Sequence, residues 1–418
     1  MTPKETKPGQ LKKLEDAVKA VYLVADPHIT KFMCAMMVSQ RLTSDPIWSI
    51  IVAPSGGGKS EFVNMLSKCK DVHCLSTLTS RTLVSGQHRA GQDTSLLHKI
   101  GKTGILTFKD FTSLLSENKD DRAAIMGQLR EIWDGKYSKA FGTGEIVNWE
   151  GKITVIAGAT YRIHSLRRDY AAMGERFLFY NLIQPDGKEA ARKTIHNQHE
   201  GDMFIKREGL ADLMHEYIDT DIIIPEKLPP LSLELEEEIL DLAEMATRAR
   251  SETERNWRSP KQEITEVHPP EVPTRFSGAL MAMSMALMII NYNETGEYEL
   301  LLDDKKILYK LALDSVTRSK CRAMQELAKY DVLETSGLAV KINMPTSTVS
   351  LWLQDLVALE VADRIKGSGS KGDRWKIKPK YRAIMQKFAD IKFEGGELSE
   401  DSAEEGESEA QKRLNEEF

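Results

Sequence analysis

Residues 50–60 read Ile50-Ile51-Val52-Ala53-Pro54-Ser55-Gly56-Gly57-Gly58-Lys59-Ser60, an apolar run that breaks into three glycines and ends in Lys-Ser. The pattern G-x-x-x-x-G-K-[ST] is met at Gly58, Lys59 and Ser60, with Ala53 where the first glycine usually stands. The run predicts a buried strand, the glycines a tight loop, and Lys59 the start of a helix. In such a loop, here Ala53, Pro54, Ser55, Gly56, Gly57 and Gly58, the backbone N–H groups wrap phosphate oxygens, and the helix start adds its positive end. Lys59 would then reach the β and γ phosphates of ATP, and Ser60 would hold Mg²⁺.

Around this loop the chain reads as alternating strands and helices. A strand is expected at residues 72–76, and another at residues 104–110, an apolar run that ends in Asp110. A carboxylate at the end of such a strand can bind Mg²⁺-bound water or polarise an attacking water. A helix over residues 121–133 and a hairpin over residues 137–149 lead to a buried strand at residues 153–160, which ends in Thr160. Residues 174–180 follow as Gly-Glu-Arg-Phe-Leu-Phe-Tyr, after Arg167-Arg168.

The flanks differ from this core. Residues 11–24 and 29–42 carry helical periodicity on either side of Asp26-Pro27-His28. Residues 185–291 turn helical, with a proline-rich break at 224–230, a charged run at 248–258, and Arg275 at the head of an apolar helix. Residues 335–376 combine two helices with two short strands around a Gly-Ser tip that carries Lys366, Lys371 and Arg374, which describes a winged helix. The expected organisation is a helical preface (1–45), an α/β core (46–184), a helical lid (185–295), a winged helix (296–390) and an acidic tail (391–418).

The chain has 418 residues and a net charge of −6. Residues 394–418 hold ten acids against Lys412 and Arg413, so the remainder is slightly basic and suited to a nucleic-acid partner. Four cysteines without paired spacing point to a reduced, cytoplasmic setting, and no metal cluster of His or Cys is expected. The polar start carries no apolar leader, and the longest apolar run, residues 278–290, is too short to span a bilayer. It is expected to form a buried helix.

With these motifs in this order, residues 20–390 resemble the AAA+ ATPases of phages and mobile elements, which are in turn similar to the minichromosome-maintenance (MCM) replicative helicases. The resemblance implies a P-loop AAA+ core with helical lid and winged helix, working as a ring, most often a hexamer, on DNA alongside other replication proteins. Residues 105–111, ILTFKDF, stand where the family has a strand ending in Asp-Glu-Phe. Either Asp110 takes the place of the catalytic Glu, with Lys109 at the Mg²⁺-side position, or Asp110 is the metal-side acid and no Glu follows. Thr160 matches sensor 1, and Ser138-Lys139-Ala140 resembles the lysine-bearing hairpin tip that touches DNA in the channel. Arg176 matches the finger that reaches a neighbouring subunit's γ phosphate, and Arg275 the start of the sensor 2 helix. The expected activity is an ATP-driven motor on DNA. The alternatives are an ATP-gated scaffold or loader without translocation, and a winged-helix regulator with an ATP-sensing domain.

Overall fold

The computed structural model describes residues 6–79, 82–84, 88–89, 92–93, 95–112, 118–141, 146–164, 176–256, 258–260, 262–367 and 372–387. Arg167, Arg168, Gly174, Glu175, Lys371 and the acidic tail lie outside them. Helices α1 (Gln10–Val21) and α2 (Ile29–Ser39) precede β1 (Trp48–Val52). Then come α3 (Lys59–Asn64), β2 (Val72–Leu75), the short pair β3 (His88–Arg89) and β4 (Gln92–Asp93), α4 (Leu96–Ile100) and β5 (Thr103–Phe108). Helix α5 (Lys119–Trp133) leads to the hairpin β6 (Lys136–Ala140) and β7 (Ile146–Glu150), then β8 (Lys152–Ala159) and β9 (Phe177–Asn181).

Strands β2-β5-β8-β1-β9 lie side by side in that order, and every neighbouring pair is parallel. The fold is thus mixed α/β, with a five-stranded parallel sheet flanked by helices. Parallel sheets bury both faces, which is why β1 reads as a continuous apolar run rather than an alternating one. Successive side chains still diverge: Ile51, Ile105, Ile156, Leu178 and Tyr180 join one core, while Ile50, Leu106, Val155, Phe177 and Phe179 join the other. Helices α4 and α5 and the hairpin cover the second face. The preface, α3 and most of the helices after β9 join the first.

After β9 the chain is mostly helical: α6 (Gly187–Glu200), α7 (Met203–His215), α8 (Leu233–Arg250), α9 (Thr274–Thr295) and α10 (Leu302–Asp314). A two-stranded ribbon, β10 (Thr253–Arg255) with β11 (Ile264–Val267), interrupts this region, which was expected to be helical with a charged run at 248–258. The last part comprises α11 (Arg318–Ala328), β12 (Leu333–Glu334), α12 (Thr335–Ile342), α13 (Thr346–Ala358), β13 (Ala362–Ile365), β14 (Arg374–Ile377) and α14 (Pro379–Lys387). Its sheet has three strands in the order β12-β14-β13, one more than the sequence suggested. Helix α9 runs beyond the apolar run on which it was recognised. It is the one described helix long and apolar enough to cross a membrane, and 67% of its apolar window is buried within the fold.

Buried polar groups tie the flanks to the last strand of the sheet. The Tyr180 hydroxyl donates to Asp26 Oδ1 (2.9 Å) and the Ile183 N–H to Asp26 Oδ2 (3.2 Å), joining the preface to the end of β9. From α10, Asp314 Oδ2 accepts the Asn181 N–H (2.7 Å), and Lys310 Nζ, fully buried, meets Asp314 Oδ2 at 2.9 Å and the Asn181 carbonyl at 2.5 Å. Burial pushes the Asp314 carboxyl above its ordinary pKa despite the lysine beside it.

Candidate functional site

The glycine stretch forms a loop at the carboxyl edge of the sheet, where ligands of open α/β folds bind. Gly56 and Gly58 have φ of 77° and 83°, left-handed values that suit glycine. Gly57 is favoured for a different reason: a Cβ there would stand 3.0 Å from the Pro54 carbonyl and 2.6 Å from Gln184 Oε1, which would have to move. The loop is closed by the Gly57 N–H on the Pro54 carbonyl (3.0 Å). Helix α3 begins at Lys59, so the Lys59 and Ser60 N–H groups have no partner within the helix, while the Glu61 N–H donates to the Gly58 carbonyl (2.9 Å).

Lys59 is 7% exposed and folds back so that Nζ donates to the Pro54 carbonyl (3.2 Å). Its aliphatic stem crosses Gly158 of β8, where a Cβ would meet the Lys59 Cγ and Cδ at 3.5 Å and the Lys109 carbonyl at 2.7 Å. Burial pulls the ammonium below its ordinary pKa, and Asp110 acts in the opposite sense. Asp110 is exposed just beyond β5, and its Oδ1 accepts the Thr112 N–H (2.9 Å). The Thr112 hydroxyl in turn accepts the Thr160 N–H (2.9 Å) and lies 3.3 Å from the Thr160 hydroxyl. Lys59, Asp110 and Thr160 therefore gather at the carboxyl ends of three adjacent strands, β1, β5 and β8.

Arg176 and Arg275 are elsewhere. Phe177 pairs with Trp48, the first residue of β1, so Arg176 stands at the opposite end of the sheet from the glycine loop. Five residues at about 3.3 Å each separate the two ends, roughly 17 Å. Arg176 bonds Asp134 through Nη2 (3.0 and 3.1 Å to its two oxygens) and lies over the Trp133 ring at 5.1 Å. Arg275 lies over the same ring at 5.7 Å and bonds Glu271 Oε1 (3.2 Å). Residues about a hundred apart in the sequence thus share one aromatic platform, which no local pattern signals.

Two further groups border the loop and were not read from the sequence. Gln184 Nε2 approaches the Gly57 carbonyl (3.4 Å), carrying the segment after β9 onto the loop. Glu61, two residues after Lys59, accepts Arg207 Nε (2.9 Å), Arg207 Nη2 (2.7 Å) and the Tyr22 hydroxyl (2.7 Å). Burial pushes the Glu61 carboxyl up, but the bonds from Arg207 and Tyr22 outweigh it and leave the pKa below the usual value. The signal available was only that Glu61 falls in the first turn of a helix.

Lys139 lies within β6, opposite Val147, rather than at a hairpin tip, because the strand pairing extends past it to Ala140. Its Nζ sits 5.2 Å over the Phe141 ring, and the connecting residues 142–145 are outside the described set. Lys366 and Arg374 are exposed on the β13–β14 hairpin. Among the described residues no group of three His, Cys, Asp or Glu side chains is placed to hold a metal ion. No family model matches the chain, and no curated protein is significantly similar to it.

Proposed function

We propose that this chain is a P-loop ATPase of the AAA+ kind that assembles into a ring, most simply a hexamer, and acts on DNA as a motor of the replicative helicase type. The observation that carries the reading is the split between the two ends of the sheet. Lys59, Asp110 and Thr160 lie together at one end, while the two arginines suited to stabilising a γ phosphate lie together at the other, beyond reach of their own chain's loop. A second subunit that presents its Arg176 and Arg275 to this loop completes the site.

The residues present fit a nucleotide with Mg²⁺. The Gly57 position is crowded by the Pro54 carbonyl and Gln184, the start of α3 offers N–H donors, and Ser60 and Asp110 supply the oxygen ligands that magnesium prefers. A magnesium ion held by Ser60 and Asp110 would supply neutralisation of the charge that builds during phosphoryl transfer. Lys59 would exchange the Pro54 carbonyl for phosphate oxygens, Asp110 would hold the metal or orient water, and Thr160 would fix the Thr112 turn on which Asp110 rests. Arg176, donated by the neighbour, would act on the γ phosphate. The C-terminal helices and hairpin are of winged-helix form, and with Lys139 they would provide sequence-independent contacts to the DNA backbone.

Lys109 favours a second reading, an ATP-gated scaffold that binds nucleotide without rapid turnover. It is exposed beside Asp110, and its charge acts on Glu61, so a cation occupies the stretch where a second acid would serve hydrolysis. ATP turnover with and without single-stranded DNA, measured beside Asp110→Asn, tests both readings. DNA-stimulated turnover that disappears in the variant supports the motor; tight ATP binding with negligible turnover supports the scaffold.

A further inference from the structure

On the winged-helix reading α13 is the recognition helix, and the ribbon β10–β11 lies across it. Val349, Leu353 and Leu356 form its buried stripe. At 100° per residue, Ser347, Leu351, Gln354 and Asp355 fall on the far side. Arg255 of the ribbon, its side chain 3% exposed, is spread over that far side. Nη1 donates to the Gln262 carbonyl (2.7 Å) and Gln354 Oε1 (3.3 Å), and Nη2 to the Leu351 carbonyl (2.9 Å) and Asp355 Oδ1 (2.6 Å). The Thr253 hydroxyl adds a bond to Asp355 Oδ1 (2.7 Å). Pairs between Arg248 and Glu360 (2.7 Å), Lys380 and Glu244 (2.7 Å), and Lys387 and Glu238 (2.6 Å) fasten the same module to α8.

The major groove of DNA is about 12 Å wide and 8.5 Å deep. A helix with its side chains is already about 10–12 Å across. With a ribbon fixed to its outer face by a buried ion pair, α13 is too thick to enter. Among the described residues the hairpin carries exposed cations without an ion pair, while Lys341 on α12 lies over the Tyr330 ring at 4.4 Å. Arg364 is tied to Asp373, and Lys376 faces Asp363 at 3.7 Å, whereas Lys366 and Arg374 are exposed and have no ion pair among the described residues.

We infer that α13 is a docking face for the chain's own ribbon and reads no bases, and that the C-terminal module meets DNA edge-on, through Lys366 and Arg374 on phosphates. This rests on the DNA-binding function proposed for the chain and specifies which surface serves it. The test is fluorescence anisotropy of the full chain on a labelled duplex of arbitrary sequence across a potassium chloride series, repeated with a second sequence. The pair Lys366→Ala and Arg374→Ala should weaken binding to both sequences alike and flatten the log–log salt slope by about 0.9 for each phosphate that goes unneutralised. The pair Thr346→Ala and Ser347→Ala, on exposed positions of α13 away from the Arg255 contacts, should leave affinity and sequence preference as in the wild type. A loss of binding from the α13 pair, or wild-type binding by the hairpin pair, overturns the inference. Failure of the wild-type protein to bind either duplex, with or without ATP, removes the DNA-binding function itself before any variant is compared.

Discussion

Strand β8 has a largely buried lysine at each end, and the two have opposite employments. Lys152 begins the strand; its Nζ donates to the Ser39 and Leu42 carbonyls (3.1 and 2.8 Å), fastening the end of α2 to the sheet. Lys59 crosses the other end over Gly158, with the Pro54 carbonyl as acceptor and Asp110 close enough to act on its charge. Burial lowers both, Lys152 to about 8. An ammonium has three donors. Lys152 spends two on fixed carbonyls of a neighbouring element, while Lys59 bonds a carbonyl of the very loop that would take a ligand. Residue type and the downward push of burial on the pKa are common to both, and the partners tell a structural lysine from a candidate ligand-binding one.

The contrast between the two ends of the sheet can be broken most sharply through the arginines. Arg176→Ala should cut ATP turnover by about 10³ to 10⁵ while ATP binding persists, the range for a trans-acting finger. Mixing it with Lys59→Ala protein should restore part of the activity, because each mutant supplies what the other lacks; no recovery argues against action across subunits. Next in size is Asp314→Ala, which strands the fully buried Lys310 and should lower stability by about 3–5 kcal/mol in a denaturant titration. A loss near zero would mean that the packing of α10 on β9 is incidental. Lys59→Ala should raise the Kd for ATP by roughly 10- to 150-fold, the worth of a hydrogen bond to a charged group, whereas Lys152→Met should leave the Kd alone. Equal effects from the two lysines would erase the distinction between them.

The smallest effect concerns pH. A lysine whose folded pKa lies below its unfolded value binds fewer protons when folded, so its contribution to stability rises with pH across that interval. For Lys152 the interval runs from about 8 to its ordinary 10.5. Thermal melts should therefore show the wild type gaining on Lys152→Met as pH rises through this window. Parallel curves would show that the ammonium is better solvated than its surroundings imply.

The sequence disclosed what is encoded locally. Strands β1, β5 and β8 were legible because parallel strands buried on both faces are apolar runs, and the glycine loop because its conformation restricts residue type. Helices α12 and α13 and the hairpin after them were legible for similar reasons. The ribbon was not: Arg255 lies in a charged run within a stretch that reads as helical, and its partner Asp355 is a hundred residues away. Nor was the meeting of Arg176 and Arg275 on Trp133, since neither flank carries a trace of the other. Strand β12, two residues long, offers too little periodicity to register at all.

Trp133 has a consequence of an optical kind. Its ring lies 5.1 Å from one guanidinium and 5.7 Å from another, and indole emission responds to charge at such range. Trp48 and Trp375 are each 1% exposed, but Trp375 has the Arg364 guanidinium 5.5 Å from its ring, so its emission has to be subtracted as well. On the proposed ring assembly, a subunit that draws both arginines onto its nucleotide would take two cations from one indole together, which would make Trp133 an intrinsic fluorescent gauge of ring closure with Trp133→Phe as its blank.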